Sequence, residues 1–146
     1  MRVVAVTQIW PNSLEPLEAA FNRQQFRELA NLCDLEVLAA VASFPLAGVT
    51  GQPPRPAKLA ALPGSELVAG IRTTYLKQLY VPKVGVPIAV PLYLASAAPH
   101  RALLASADVI FGTWAYPDSC AAVLLARMLG KPSVVKVHGS DLNVIA

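Results

Sequence analysis

Arg2 to Thr7 (RVVAVT) is apolar and β-branched at successive positions without alternation, the pattern of a strand buried on both faces. Turn residues Pro11, Asn12 and Ser13 then break the run. From about Pro16 to Leu32 the period changes to that of a helix. Phe26, Leu29, Ala30 and Cys33 recur at i, i+3, i+4 and i+7, while Arg23, Gln24, Arg27 and Glu28 cover the other faces. Leu35 to Val41 (LEVLAAV) reads as a second strand. A strand, a helix and a strand in this order predict a right-handed crossover within a parallel sheet.

The rhythm breaks up between Pro45 and Pro99, where nine of the thirteen prolines lie. A loop is expected from Ser43 to Gly64, with a short helix near Lys58, then a strand over Gly70 to Leu76 and a helix within Val90 to Leu104. Regular pattern returns at Ala107 to Gly112 (ADVIFG), a short buried strand. The helix after it is expected to start at Pro117 and Asp118 and to stop at Gly130, a left-handed cap, with Pro132 beyond. SVVKVH, Ser133 to His138, is the next strand. Strands alternating with helices predict an α/β fold: a Rossmann-like parallel sheet with helices on both faces.

Composition sharpens this only in places. Hydrophobic residues make up 55% and charged residues 14% of 146, which excludes a disordered chain and suggests a surface meant to be covered. Cys33 and Cys120 are too few for a disulfide framework and are expected as reduced, buried thiols. The opening apolar run is too short for a secretory signal, and Val84 to Pro99, interrupted by Pro87 and Pro91, is too short to span a bilayer. A cytoplasmic location, extending to the inner face of the cytoplasmic membrane, is the expectation. Charge is uneven: Arg55 to Ala107 carries six basic residues and one acidic residue, Glu66. No basic run or nucleic-acid motif accompanies this, so nucleic acid is not an expected partner. The stretch Ile71 to Gly85, mixing Arg72, Lys77 and Lys83 with Tyr75, Leu76, Leu79 and Tyr80, is the candidate for peripheral membrane contact, or else a strand and loop packed on the domain.

Ligands of open parallel sheets bind beyond the carboxyl ends of the strands. Three loops meet that condition: Gln8 to Ser13, Thr113 to Asp118, and His138 to Asn143. His138 can act as an acid or base near neutral pH, or bond a backbone carbonyl at the end of its own strand. Gly139 allows close approach of backbone to ligand, or a left-handed turn. Ser140 and Asp141 can bind hydroxyls or cap a following helix. Trp114 and Tyr116 can form a stacking wall, or pack as core and rim aromatics. Asp118 is most simply a helix N-cap. The chain has no GxGxxG turn, P-loop, GxSxG elbow or metal-ligand spacing, so no metal and no cofactor are expected.

WAYPD (114–118) and AAVLLARMLGKPSVVKVHGSDLN (121–143), with VTQIWPNSLEP and FNRQQFRELA near the start, resemble the N-terminal domain of family 4 glycosyltransferases, in a branch found in bacterial polysaccharide synthesis. The resemblance implies a GT-B fold of two Rossmann-like domains, retaining transfer of a sugar from a nucleotide-sugar, and no essential metal. The acceptor is a glycan or a lipid-linked molecule. It makes this chain a truncated N-terminal, acceptor-side domain, inactive without the C-terminal domain that grips the nucleotide. The implied cleft residues are Gln8, Pro11, Asn12, Ser13, Trp114, Tyr116, Asp118, Gly139, Ser140 and Asp141, with His138 as the catalytic candidate. Three positions depart from the family pattern: PNSLEP lacks a Gly-Gly pair, FGT (Phe111–Thr113) stands where many members have His-x-His, and Ser119 replaces the glycine of YPDG. The alternative is a non-catalytic α/β module that binds a sugar or phosphate ligand.

Overall fold

The computed structural model describes residues 1–44, 54–79 and 85–139. Its strands are β1 (Arg2–Thr7), β2 (Asp34–Ser43), β3 (Ser65–Val68), β4 (Ile71–Leu79), β5 (Val109–Thr113) and β6 (Ser133–Lys136). The helices are α1 (Ala20–Ala30), α2 (Pro54–Leu59), α3 (Gly85–Ala97), α4 (Arg101–Ala105) and α5 (Cys120–Leu129). The sheet order is β3-β4-β2-β1-β5-β6, parallel throughout except for β3, which runs antiparallel to β4. This is the expected Rossmann-like α/β architecture.

β1 lacks alternation because both of its faces are covered. Val4 and Val6 enter a cluster with Leu38, Leu76, Tyr93, Leu104, Ile110 and Leu125, under α3, α4 and α5. Val3 and Ala5 point the other way, to Trp10, Phe26, Val37, Ile71, Tyr75 and Phe111, under α1 and α2. Val3 lies opposite Leu35 and Val4 opposite Ile110, so one strand sets the register of both halves. Gly112 is required in β5: a Cβ there would lie 2.7 Å from Ser119 Cα and 2.9 Å from Ala122 Cβ. The close packing of α5 on the sheet depends on its absence.

Several expectations are corrected. The first helix begins at Ala20 rather than Pro16, because residues 12–19 form a loop held by Asn12, whose Oδ1 accepts from the Leu14 and Glu15 N–H groups at 3.0 and 2.9 Å. β3 and its hairpin were not expected. Their two-residue turn, Ala69 and Gly70, has positive φ at both positions (53° and 81°), a conformation alanine does not advertise. The helix expected within 90–104 starts earlier and carries Pro91 inside it. With a 3-10 turn over Ala98–His100 it continues into α4, giving a 20-residue run, Val86–Ala105, apolar and long enough to cross a membrane. Tyr93, Ala97 and Leu104 nevertheless sit in the core, so the run is fastened to the sheet. In the strand part of Ile71 to Gly85, Ile71, Tyr75 and Leu76 are buried and Arg72, Lys77 and Leu79 are exposed; Tyr80 to Val84 lie outside the described residues. Cys33 is half-buried but Cys120 is exposed, not the buried thiol expected; both are free. Gly130 is the left-handed cap of α5, as expected, at φ 64°.

Candidate functional site

The direction of chain progression across the sheet reverses between β1 and β5, so the switch point lies beyond Thr7 and Thr113. Both threonines are fully buried, and the Thr113 hydroxyl donates to Thr7 Oγ1 at 2.8 Å. Thr7 Oγ1 also accepts the Ile9 N–H at 3.0 Å. Asp118, 1% exposed, accepts the Gln8 N–H at 2.8 Å on Oδ2 and a hydrogen bond from the Thr7 side chain. Burial pushes its carboxyl from 3.8 up to about 7, against the hydrogen bonds that favour the charged form. Asp118 is therefore not the cap of α5. That position belongs to Ser119, which makes no side-chain cap bond, and Asp118 turns inward to hold the first loop.

The same loop is clamped from other elements. Asn22 of α1 donates to Ile9 O at 2.7 Å, Trp10 Nε1 donates to Thr73 Oγ1 of β4 at 3.0 Å, and Ser13 N donates to Glu66 Oε1 of β3 at 3.0 Å. Glu66 also takes the Tyr75 hydroxyl, and its carboxyl lies below the usual range because these hydrogen bonds outweigh its burial. Trp10 stacks on Phe26 with ring centroids 4.9 Å apart.

Above the carboxyl ends of β1, β2 and β4 opens a cleft of about 540 Å³. Its polar groups are Gln8, Asn12, Arg55 and Gln78; α3, Leu59, Leu79, Tyr116 and Pro117 form apolar walls. Gln8 Nε2 donates to Gln78 Oε1 at 2.8 Å, and Gln78 Nε2 donates to Ala89 O at 3.1 Å, tying β1, β4 and α3 together across the floor. Arg55 Nη2 meets Glu15 Oε2 at 2.9 Å, and this hydrogen bond holds the Glu15 carboxyl below its ordinary range. No Asp or Glu lines the cleft among the described residues.

The candidate residues from the sequence thus divide. Gln8, Asn12 and Tyr116 line the cleft. Pro11 and Ser13, with Asn12, border a second, shallower cavity of about 390 Å³ beside Arg23 and Arg27. The Trp114 and His138 rings lie 5.3 Å apart, tilted by 32°, and His138 meets Phe21 of α1 edge-on at 5.0 Å. Trp114 holds φ 96°, strained for a residue with a side chain, and its N–H donates to Lys136 O at 2.9 Å. Gly139 is exposed at the limit of the described residues, and Ser140 and Asp141 lie outside them. Sequence reasoning missed Thr7, Thr73, Asn22, Arg55 and Gln78, and reached Thr113 only as the first residue of a strand-end loop. The two strand-end threonines were accessible from the switch-point rule; Gln78 and Arg55 come from the segment whose pattern was least regular.

No protein-family model matches the sequence. Over 162 aligned positions the chain is 28% identical to "Putative teichuronic acid biosynthesis glycosyltransferase TuaC" of Bacillus subtilis (strain 168). The alignment covers 99% of this chain and 38% of that protein, so the chain spans well under half of its relative's length. The similarity to a protein named as a glycosyltransferase therefore runs through β1 to β6 and is not confined to one motif.

Proposed function

We propose that the chain is the N-terminal, acceptor-side part of a retaining glycosyltransferase of family 4, acting in the synthesis of a bacterial polysaccharide in the cytoplasm. The observation that carries this reading is the alignment of 99% of the chain with 38% of the Bacillus relative. In this reading a second domain, outside these residues, grips a nucleotide-sugar, while the cleft over β1, β2 and β4 receives the glycan or lipid-linked acceptor. Amide groups of Gln8, Gln78 and Asn12 offer both donors and acceptors to sugar hydroxyls. His138 is the candidate for contact with the reacting groups. Without the donor wall the chain does not turn over sugar, because the transition state needs groups from both sides.

The test uses the natural full-length protein, with a panel of nucleotide-sugars and short glycan or polyprenyl-linked acceptors, and mass spectrometry of the products. The expected result is a product heavier by one sugar, formed with one donor class and lost in His138→Ala. Saturable binding of sugar without any product across the panel would favour a non-catalytic binding module instead.

A further inference from the structure

The first turn of α1 carries an aromatic ring that the hydrophobic core does not use. A helix that follows a parallel strand runs back along the sheet, so Ala20 and Phe21 stand beyond the carboxyl ends of the strands. Phe21 is 48% exposed and belongs to neither core cluster of the described residues. Its ring lies 5.0 Å from the His138 imidazole at an interplanar angle of 69°, a crossed arrangement that aromatic pairs prefer. Trp114 lies 5.3 Å from the same imidazole, tilted by 32°. Rings from two elements far apart in sequence therefore converge on one histidine.

Both rings are braced. The Lys136 Nζ lies over the Phe21 ring, 6.0 Å from its centroid, and donates to Gln25 Oε1 one turn further along α1. The Trp114 N–H donates to Lys136 O at 2.9 Å, which links the second ring to the same lysine. The backbone is strained where each ring is delivered. Trp114 holds φ 96°, and Ala19, two residues before Phe21, holds φ 49° with no side-chain cap on the helix. Such conformations persist only where surrounding contacts over-determine them, and they gather at functional sites. Among the described residues one other non-glycine residue has positive φ, Ala69, and the β3–β4 turn accounts for it.

We infer that Phe21 is a positioning residue: with Trp114 it holds the His138 imidazole in one orientation toward the reacting groups. This rests on the glycosyl-transfer reading, in which His138 meets substrate. A small misplacement of a reacting group costs far more in rate than in binding. Leucine at position 21 keeps apolar bulk but gives the imidazole no ring to cross, so the loss falls on kcat.

The experiment compares wild type, Phe21→Leu and Phe21→Tyr as full-length protein, in the transfer assay and by NMR of histidine-labelled samples. His138→Gln assigns the His138 resonances. Phe21→Leu is expected to lower kcat about tenfold with acceptor KM within about twofold, and to shift the His138 ring resonances. Phe21→Tyr, which restores the ring, recovers most of both. Phe21 is half in water, so neither change should unfold the chain, and the thermal melts check this. Wild-type kcat in Phe21→Leu, a rise in KM alone, a loss of rate with unmoved His138 resonances, or an equal loss in Phe21→Tyr overturns the positioning role and leaves the transferase reading standing. A wild-type protein that makes no product with any donor overturns that reading, and this inference with it.

Discussion

Asp118 offers the sharpest test of the switch-point architecture. Its carboxyl is buried, its Oδ2 is committed to Gln8 N–H, and its Oδ1 has no hydrogen-bond partner among the described residues. The titratable group facing it is Tyr93 of α3, whose own hydroxyl is pushed upward by burial and then by the Asp118 charge. Neither relieves the cost of ionising Asp118, so its pKa in the folded chain rises to about 7 from 3.8. A folded pKa raised above the unfolded one means stability that is greatest below the unfolded value and is lost as pH climbs to the folded value. The window is therefore about pH 4 to about pH 7, with a plateau above it. Integrating the linkage between about pH 5 and about pH 8 gives a loss of roughly 2–3 kcal/mol from this one group. Asp118→Asn keeps the shape and an acceptor for Gln8 N–H but cannot ionise. Urea unfolding of both proteins at the two pH values, followed by the fluorescence of Trp10 and Trp114, should show the variant gaining about 2–3 kcal/mol on wild type at the higher pH. Glu15 and Glu66, whose pKa values are lowered, act in the opposite direction at acid pH but are common to both proteins and cancel. A stability difference that stays constant with pH refutes the reasoning.

Gly112→Ala should lower stability by about 1–3 kcal/mol in the same assay, since the new methyl meets Ser119 backbone and Ala122 inside van der Waals distance. Tyr93→Phe should be neutral or stabilising by up to about 1 kcal/mol, because its fully buried hydroxyl has no hydrogen-bond partner among the described residues; a loss beyond about 1 kcal/mol would reveal a buried water serving it. Asn22→Ala releases Ile9 O from a 2.7 Å bond, should cost about 1–2 kcal/mol, and should speed amide exchange at Gln8 and Ile9 measured by NMR.

What the sequence made legible was decided by burial. β1 and β5 lie between covering helices on both sides, so their residues are apolar without interruption and identify themselves. Gly130 was readable because a left-handed cap has one cheap occupant. β3 was not, because a four-residue edge strand alternates over too short a span and its turn uses Ala69, which carries no left-handed signal. Asp118 was readable as a polar residue before a helix but not as an inward-facing one. The turn over Ala115–Ser119 that rotates it beneath the first loop depends on contacts with residues more than a hundred positions away. The cleft was half-legible for a similar reason. Gln8 and Asn12 follow a clear strand, whereas Gln78 and Arg55 belong to elements in the proline-rich middle, where periodicity is weakest.

The clamped loop also bears on what kind of ligand this edge can read. In many α/β folds the loop after the first strand binds phosphate through free backbone N–H groups made accessible by glycine. Here the N–H groups of Gln8, Ile9, Ser13, Leu14 and Glu15 already have acceptors: Asp118, Thr7, Glu66 and, for the last two, Asn12. Main-chain donors so committed cannot also cradle a pyrophosphate, and the absence of glycine from PNSLEP follows, since no close backbone approach is required. Recognition passes to side chains. Those at the cleft are two mutually bonded glutamines, a buried asparagine and an arginine held by Glu15, a set able to read hydroxyls by both donating and accepting. Under the proposed function, these committed main-chain donors are why the loop is assigned to the acceptor rather than to the nucleotide. If the proposed function holds, Asp118→Ala, by freeing Gln8 N–H, should loosen Gln8 and weaken acceptor binding in the full-length protein while leaving donor affinity unchanged; an equal loss of both would count against the proposed acceptor-side role.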